Sequence, residues 1–83
     1  MSAKEMFEKL GYEYIEYLEY CNSFCYKNKA HNLEGSWLEI SFNLNIKTID
    51  TYMCNHDSLT KFRCNIDMSL LQAINKQVEE LGW

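Results

Sequence analysis

Apolar positions recur along this chain with two different periods, and the change of period divides it into three parts. At the start, Ala3, Met6, Phe7 and Leu10 fall at i, i+3, i+4 and i+7, one apolar stripe of a helix. Ser2 and Glu5 stand at the capping-box spacing, and Gly11 follows Leu10 where a left-handed residue ends a helix. These signals predict a short helix over 3–10, stable only when docked. Near the end, Leu70, Ile74, Val78 and Leu81 form a second stripe, which Leu71 and Ala73 widen. Asp67 is a good N-cap, and Ser69, with Gln72 three residues on, is a rival. Lys76 and Glu80 are placed to pair at i, i+4, Gly82 is the closing glycine, and Trp83 can fold back onto the helix end.

Between the stripes the period falls to two. Residues 12–20 place Tyr12, Tyr14, Leu18 and Tyr20 on one face and Glu13, Ile15, Tyr17 and Glu19 on the other. A helix would instead stack Glu13, Glu16 and Glu19, but four tyrosines and the break at Gly11 favour a strand. Residues 23–27 read as a second short strand, and the polar run 28–35 as a loop. The clearest strand is 36–44, where Leu38, Ile40, Phe42 and Leu44 alternate with Trp37, Glu39, Ser41 and Asn43. Asn45 suits a turn, 47–54 the return strand, 55–58 a second turn, and 61–66 alternate once more. The expected fold is α+β in a single domain. A short N-terminal helix, an antiparallel meander of three to five strands and a C-terminal amphipathic helix packed on one sheet face make it up, and the N-terminal helix can share that face. The other face is expected to be polar and exposed, carrying Trp37, Glu39, Ser41 and Asn43.

Composition narrows the function classes. A hydrophobic fraction of 47% in 83 residues suits one small globular domain and is too rich for disorder. No apolar run reaches the roughly 18–20 residues of a membrane helix, and the capped start lacks an apolar signal region, so neither a membrane nor a secreted setting is expected. Cys21, Cys25, Cys54 and Cys64 are then reduced thiols, each a small hydrophobe. The net charge of −4 disfavours a grip on nucleic acid, which needs a basic face; Lys27, Lys29, Lys61 and Arg63 near Phe62 make only a small patch.

The opening Ala3-Lys4-Glu5-Met6-Phe7-Glu8-Lys9-Leu10-Gly11-Tyr12 resembles the start of small phage and prophage proteins of Gram-positive (Firmicute) bacteria. The ending Gln72-Ala73-Ile74-Asn75-Lys76-Gln77-Val78-Glu79-Glu80-Leu81-Gly82-Trp83 is similar to their closing helix. The two segments cover about a quarter of the chain, and the central block matches only in pattern. The resemblance implies a phage origin and a life in the host bacterial cytoplasm. It carries no catalytic or ligand residue to any position here. Small acidic phage proteins without a catalytic motif are often inhibitors of host or defence proteins, anti-CRISPR proteins among them.

Candidate chemistry is sparse. Cys21, Cys25, His31, Cys54, His56 and Cys64 contain one loose Cys-x3-Cys half-site, and Cys54-x-His56 is a poor second half, so buried or incidental thiols are the expected reading and no cofactor is expected. Cys54 with His56 has the residue types of a nucleophile and its base but nothing that implies a pocket, so no enzyme is expected. Five glutamates against two lysines in residues 1–20 make that end locally negative. Such a face could occupy a basic channel, although ordinary solvated charges read the same way. Tryptophan and tyrosine are enriched at binding hot spots. The expected partner surface is therefore Tyr14, Glu16, Tyr17, Glu19, Trp37 and Glu39, on a protein-binding module that blocks a host or defence protein. Self-association as a homodimer through a strand edge, and a zinc-stabilised or nucleic-acid-binding domain, are the alternatives.

Overall fold

A computed structural model describes residues 1–17, 21–28, 36–55 and 66–83. In chain order the elements are α1 (Ala3–Lys9), β1 (Glu13–Tyr17), β2 (Ser23–Asn28), β3 (Ser36–Asn43), β4 (Thr48–Asn55) and α2 (Met68–Leu81). The four strands form one antiparallel sheet in the order β1-β2-β3-β4, the expected meander. Two helices and an antiparallel sheet make the fold α+β, as the periods predict.

Both helices begin and end as their sequence signals require. Ser2 Oγ accepts from the Glu5 amide and the Glu5 carboxylate accepts from the Ser2 amide, so the capping box is closed. Those Ser2 hydrogen bonds hold the Glu5 carboxyl below its usual range. At the other end of α1, the Tyr12 amide donates to the Phe7 carbonyl and the Gly11 amide to that of Glu8. That is a Schellman closure, and Gly11 supplies its positive φ of 91°. The Tyr12 ring then meets Phe7 edge-on at 5.7 Å. α2 repeats the device: Trp83 donates to Val78, Gly82 donates to Glu79, and Gly82 has a φ of 73°. Asp67 caps α2 by accepting from the Leu70 amide, so the helix starts at Met68 rather than residue 70 and Ser69 is not the cap.

One face of the sheet carries the core. Phe7, Tyr12, Phe24, Tyr26, Ile40, Phe42, Leu70, Ala73 and Ile74 form a single buried cluster. Phe7 lies flat on Tyr26 at 3.8 Å between ring centroids, and Phe24 stacks on Phe42 at 5.0 Å. Trp83 reaches the same cluster, 6.3 Å from Phe42. A chain this small has of order 5–15 kcal/mol of stability, and truncating one buried aromatic costs about 3–5 kcal/mol. The stacked rings are therefore what the fold depends on most.

Several boundaries and partners differ from the sequence reading. β1 covers only Glu13–Tyr17 of the expected 12–20, because Tyr12 is drawn into the helix closure; Leu18, Glu19 and Tyr20 lie outside the described residues. Asn28 belongs to β2 and not to the loop: it is 1% exposed, and its Nδ2 donates to the Leu10 carbonyl at the end of α1. Leu44 and Lys47 sit in the β3–β4 turn, where Asn43 Oδ1 accepts from the Asn45 and Ile46 amides. Ile66 is exposed and precedes the α2 cap, outside any strand, and 29–35 and 56–65 lie outside the described residues. Leu71 is 37% exposed and does not widen the α2 stripe; Gln77 does, buried beneath Tyr26. Lys76 pairs loosely with Glu79 at 3.9 Å, because Glu80 turns instead to the first amide of α1, accepting from Ala3 at 2.8 Å. That carboxylate sits at the positive end of the α1 dipole.

Candidate docking surface on the second sheet face

Antiparallel pairing places directly opposed residues on the same face. Tyr17 opposes Ser23, which opposes Asn43; Ile15 opposes Cys25, which opposes Ser41; Lys27 opposes Glu39. Trp37 follows by the two-residue period of β3. This second face was expected to be polar and exposed. Its rim is: Glu13, Thr48 and Asp50 are exposed and Tyr17 is 41% exposed. Its centre is not, since Ser23 is buried, Cys25 is 1% exposed and Glu39 is 8% exposed. Alternation along one strand reports which residues share a face, not what surrounds them, so the burial of Glu39 has no signal in residues 36–44.

Trp37 is half-buried and held from two sides. Its Nε1–H donates to Glu39 Oε1 at 3.0 Å, and the Lys27 ammonium lies 4.3 Å from its ring centroid. Cation–π attraction of this kind contributes about 0.5–2 kcal/mol, more as the pair is desolvated. Trp83 packs on the opposite, helix-bearing face and so does not cover Trp37. Lys27 is the residue that sequence reasoning assigned to a basic patch; its opposition to Glu39 in the β2–β3 register is what places it beside Trp37. The Tyr17 hydroxyl is pushed above its ordinary pKa, first by burial and then by the nearby Cys25 and Glu39, so it is a neutral hydrogen-bonding group at physiological pH.

Five of the six expected partner residues therefore divide between the faces. Tyr17, Trp37 and Glu39 come together on the second face. Tyr14 and Glu16 point to the helix side, where the Tyr14 ring packs against the core and its hydroxyl donates to Glu16 Oε1 at 2.9 Å. Burial, aided by Glu16, pushes the Tyr14 hydroxyl up to about 12. Tyr14 is thus partly buried against the core with its hydroxyl engaged by Glu16, and Glu19 lies outside the described residues.

Of the expected thiols, Cys21 is exposed and Cys25 is buried. Cys21 Sγ is 3.0 Å from Ser23 Oγ, at the edge of the same face. Cys25, 1% exposed, is packed into this face. No group of three or more metal-ligating side chains occurs among the described residues; Cys64, His31 and His56 are not among them. Among the described residues no helix is long and apolar enough to cross a membrane. Comparison with protein-family models, with curated proteins and with solved structures yields no match.

Proposed function

We propose that this chain is a non-enzymatic protein-binding module of phage origin that docks through the second sheet face. In this reading it occludes a functional surface of a host or defence protein in the bacterial cytoplasm, in the manner of an anti-CRISPR protein. The observation that carries the docking face is the row Lys27–Trp37–Glu39, in which a half-buried indole is fixed by a cation and by a hydrogen bond. An aromatic anchor already held in one rotamer loses little entropy on binding, and such anchors dominate interface energies. Tyr17 adds an exposed aromatic to the half-buried indole on the same face. The resemblance of both ends to phage proteins, together with the net charge of −4, supports the class of target.

The test is affinity capture from the bacterial host with tagged protein, read by mass spectrometry. A stoichiometric partner that is lost with Trp37→Ala supports the reading. A partner retained in full by Trp37→Ala contradicts the face, and no partner at all contradicts the module.

A further inference from the structure

Among the described residues, the sheet ends at β1 in a strand paired on one side only. β1 is hydrogen-bonded to β2 along one side, and among the described residues nothing pairs with its other side. An unpaired strand side offers a row of amide and carbonyl groups, which an extended segment of another chain can complete. Two features of β1 decide what kind of segment.

The first is charge. Glu13 and Glu16 are exposed on β1, and the exposed Glu8 of α1 lines the same open groove as Glu13, Tyr12 and Gly11. The cation of that groove, Lys4, is drawn to the Tyr14 ring, 5.5 Å from its centroid. A second copy of this chain would bring an equally acidic strand, and each copy carries a net charge of −4. Like charges across a ladder are destabilising and opposite charges stabilising, so a basic segment fits and a second copy does not. The second feature is register. Glu13 shares the second face with Ile15 and Tyr17, whereas Glu16 shares the helix side with Tyr14. A strand laid antiparallel to β1 therefore meets one carboxylate on each of its own faces, through two residues three positions apart.

We infer that β1 recruits a basic extended segment of the partner protein, one with two Lys or Arg residues three apart, as a fifth strand of the sheet. This inference rests on the protein-binding reading and adds the partner's chemistry to it.

The test uses the full chain and a labelled capped heptapeptide of Thr and Val with Lys at its second and fifth positions, followed by fluorescence anisotropy. Saturable binding is expected, weakened at least about tenfold by Glu13→Lys with Glu16→Lys and by N-methylation of the central peptide amides. Amide exchange at 13–17 is expected to slow when the unmethylated peptide is present, which reads the pairing without any variant. Equal binding of the methylated peptide would reduce the contact to charge alone and overturn the inference. So would absence of binding, unchanged exchange, or a dimer of the free chain in sedimentation. If the peptide fails while a captured partner is still lost with Trp37→Ala, the edge falls and the docking face stands. If the peptide binds as expected while the partner survives Trp37→Ala, the face falls and the edge stands.

Discussion

Tyr26 Oη donates to Gln77 Oε1 at 2.5 Å, joining the second strand to the closing helix inside the core. The two residues are 51 positions apart, and both are buried. Tyr26 also lies under Phe7, so one side chain meets both helices. Removing only the hydroxyl, by Tyr26→Phe, leaves a buried amide oxygen without its donor and should cost about 1–3 kcal/mol in urea unfolding. Tyr26→Phe combined with Gln77→Leu should recover much of that loss. If the double variant were as unstable as the sum of the two single ones, the hydrogen bond would not be the coupling between them.

Glu80 and Lys76 separate a structural carboxylate from an ordinary surface pair. Glu80→Ala removes the acceptor of the Ala3 amide and the anion at the start of α1, and should cost about 1 kcal/mol. Lys76→Ala breaks only a 3.9 Å surface pair and should cost under about 0.5 kcal/mol. Thermal unfolding of the two variants side by side reads the difference; a reversed order would contradict the clamp between the helices.

Gly11 has a φ of 91°, and a Cβ there would meet the Asn28 side chain no closer than 3.6 Å. Space is therefore adequate and the backbone conformation is not. Gly11→Ala should destabilise by about 1–2 kcal/mol with the fold retained, measured by chemical denaturation. A neutral result would mean that the Schellman closure relaxes at little cost.

These three sites show what local sequence can and cannot disclose. The capping box at Ser2 and Glu5, the glycine after Leu10, the Asp67 cap and the alternation of 36–44 are written within a few residues, and the structure uses each of them. Asn28, Gln77 and Glu80 are polar residues whose partners come from distant elements, so no periodicity marks them. Of the proposed docking face, Trp37, Glu39 and Tyr17 stand out in the sequence by residue type, whereas only the strand register sets Tyr14 and Glu16 on the helix side. Lys27 reaches Trp37 through strand register, which no single segment encodes.

Alkaline pH should loosen the core before it affects the caps. Burial is the main cause that raises Tyr14 to about 12 and Tyr26 further still, from an ordinary value of 10.0. The unfolded chain therefore releases these protons first. Stability is present in full below about pH 10 and falls as the pH rises from there, through the folded-state pKa of Tyr14 near 12 and on toward that of Tyr26. Urea midpoints near pH 8 and near pH 11 should differ, with the lower midpoint at the higher pH. Equal midpoints would contradict the burial of the two hydroxyls.

Trp37, fixed between Lys27 and Glu39, is the proposed anchor for a protein partner. The most direct measurement is isothermal titration of the captured partner against the native chain, Trp37→Ala and Leu71→Ala, the last an exposed apolar residue on α2. A hot-spot anchor is worth about 2 kcal/mol or more, so Trp37→Ala should raise Kd by roughly 30-fold or more while Leu71→Ala leaves it unchanged. A folded Trp37→Ala chain that binds with native affinity would contradict the claim.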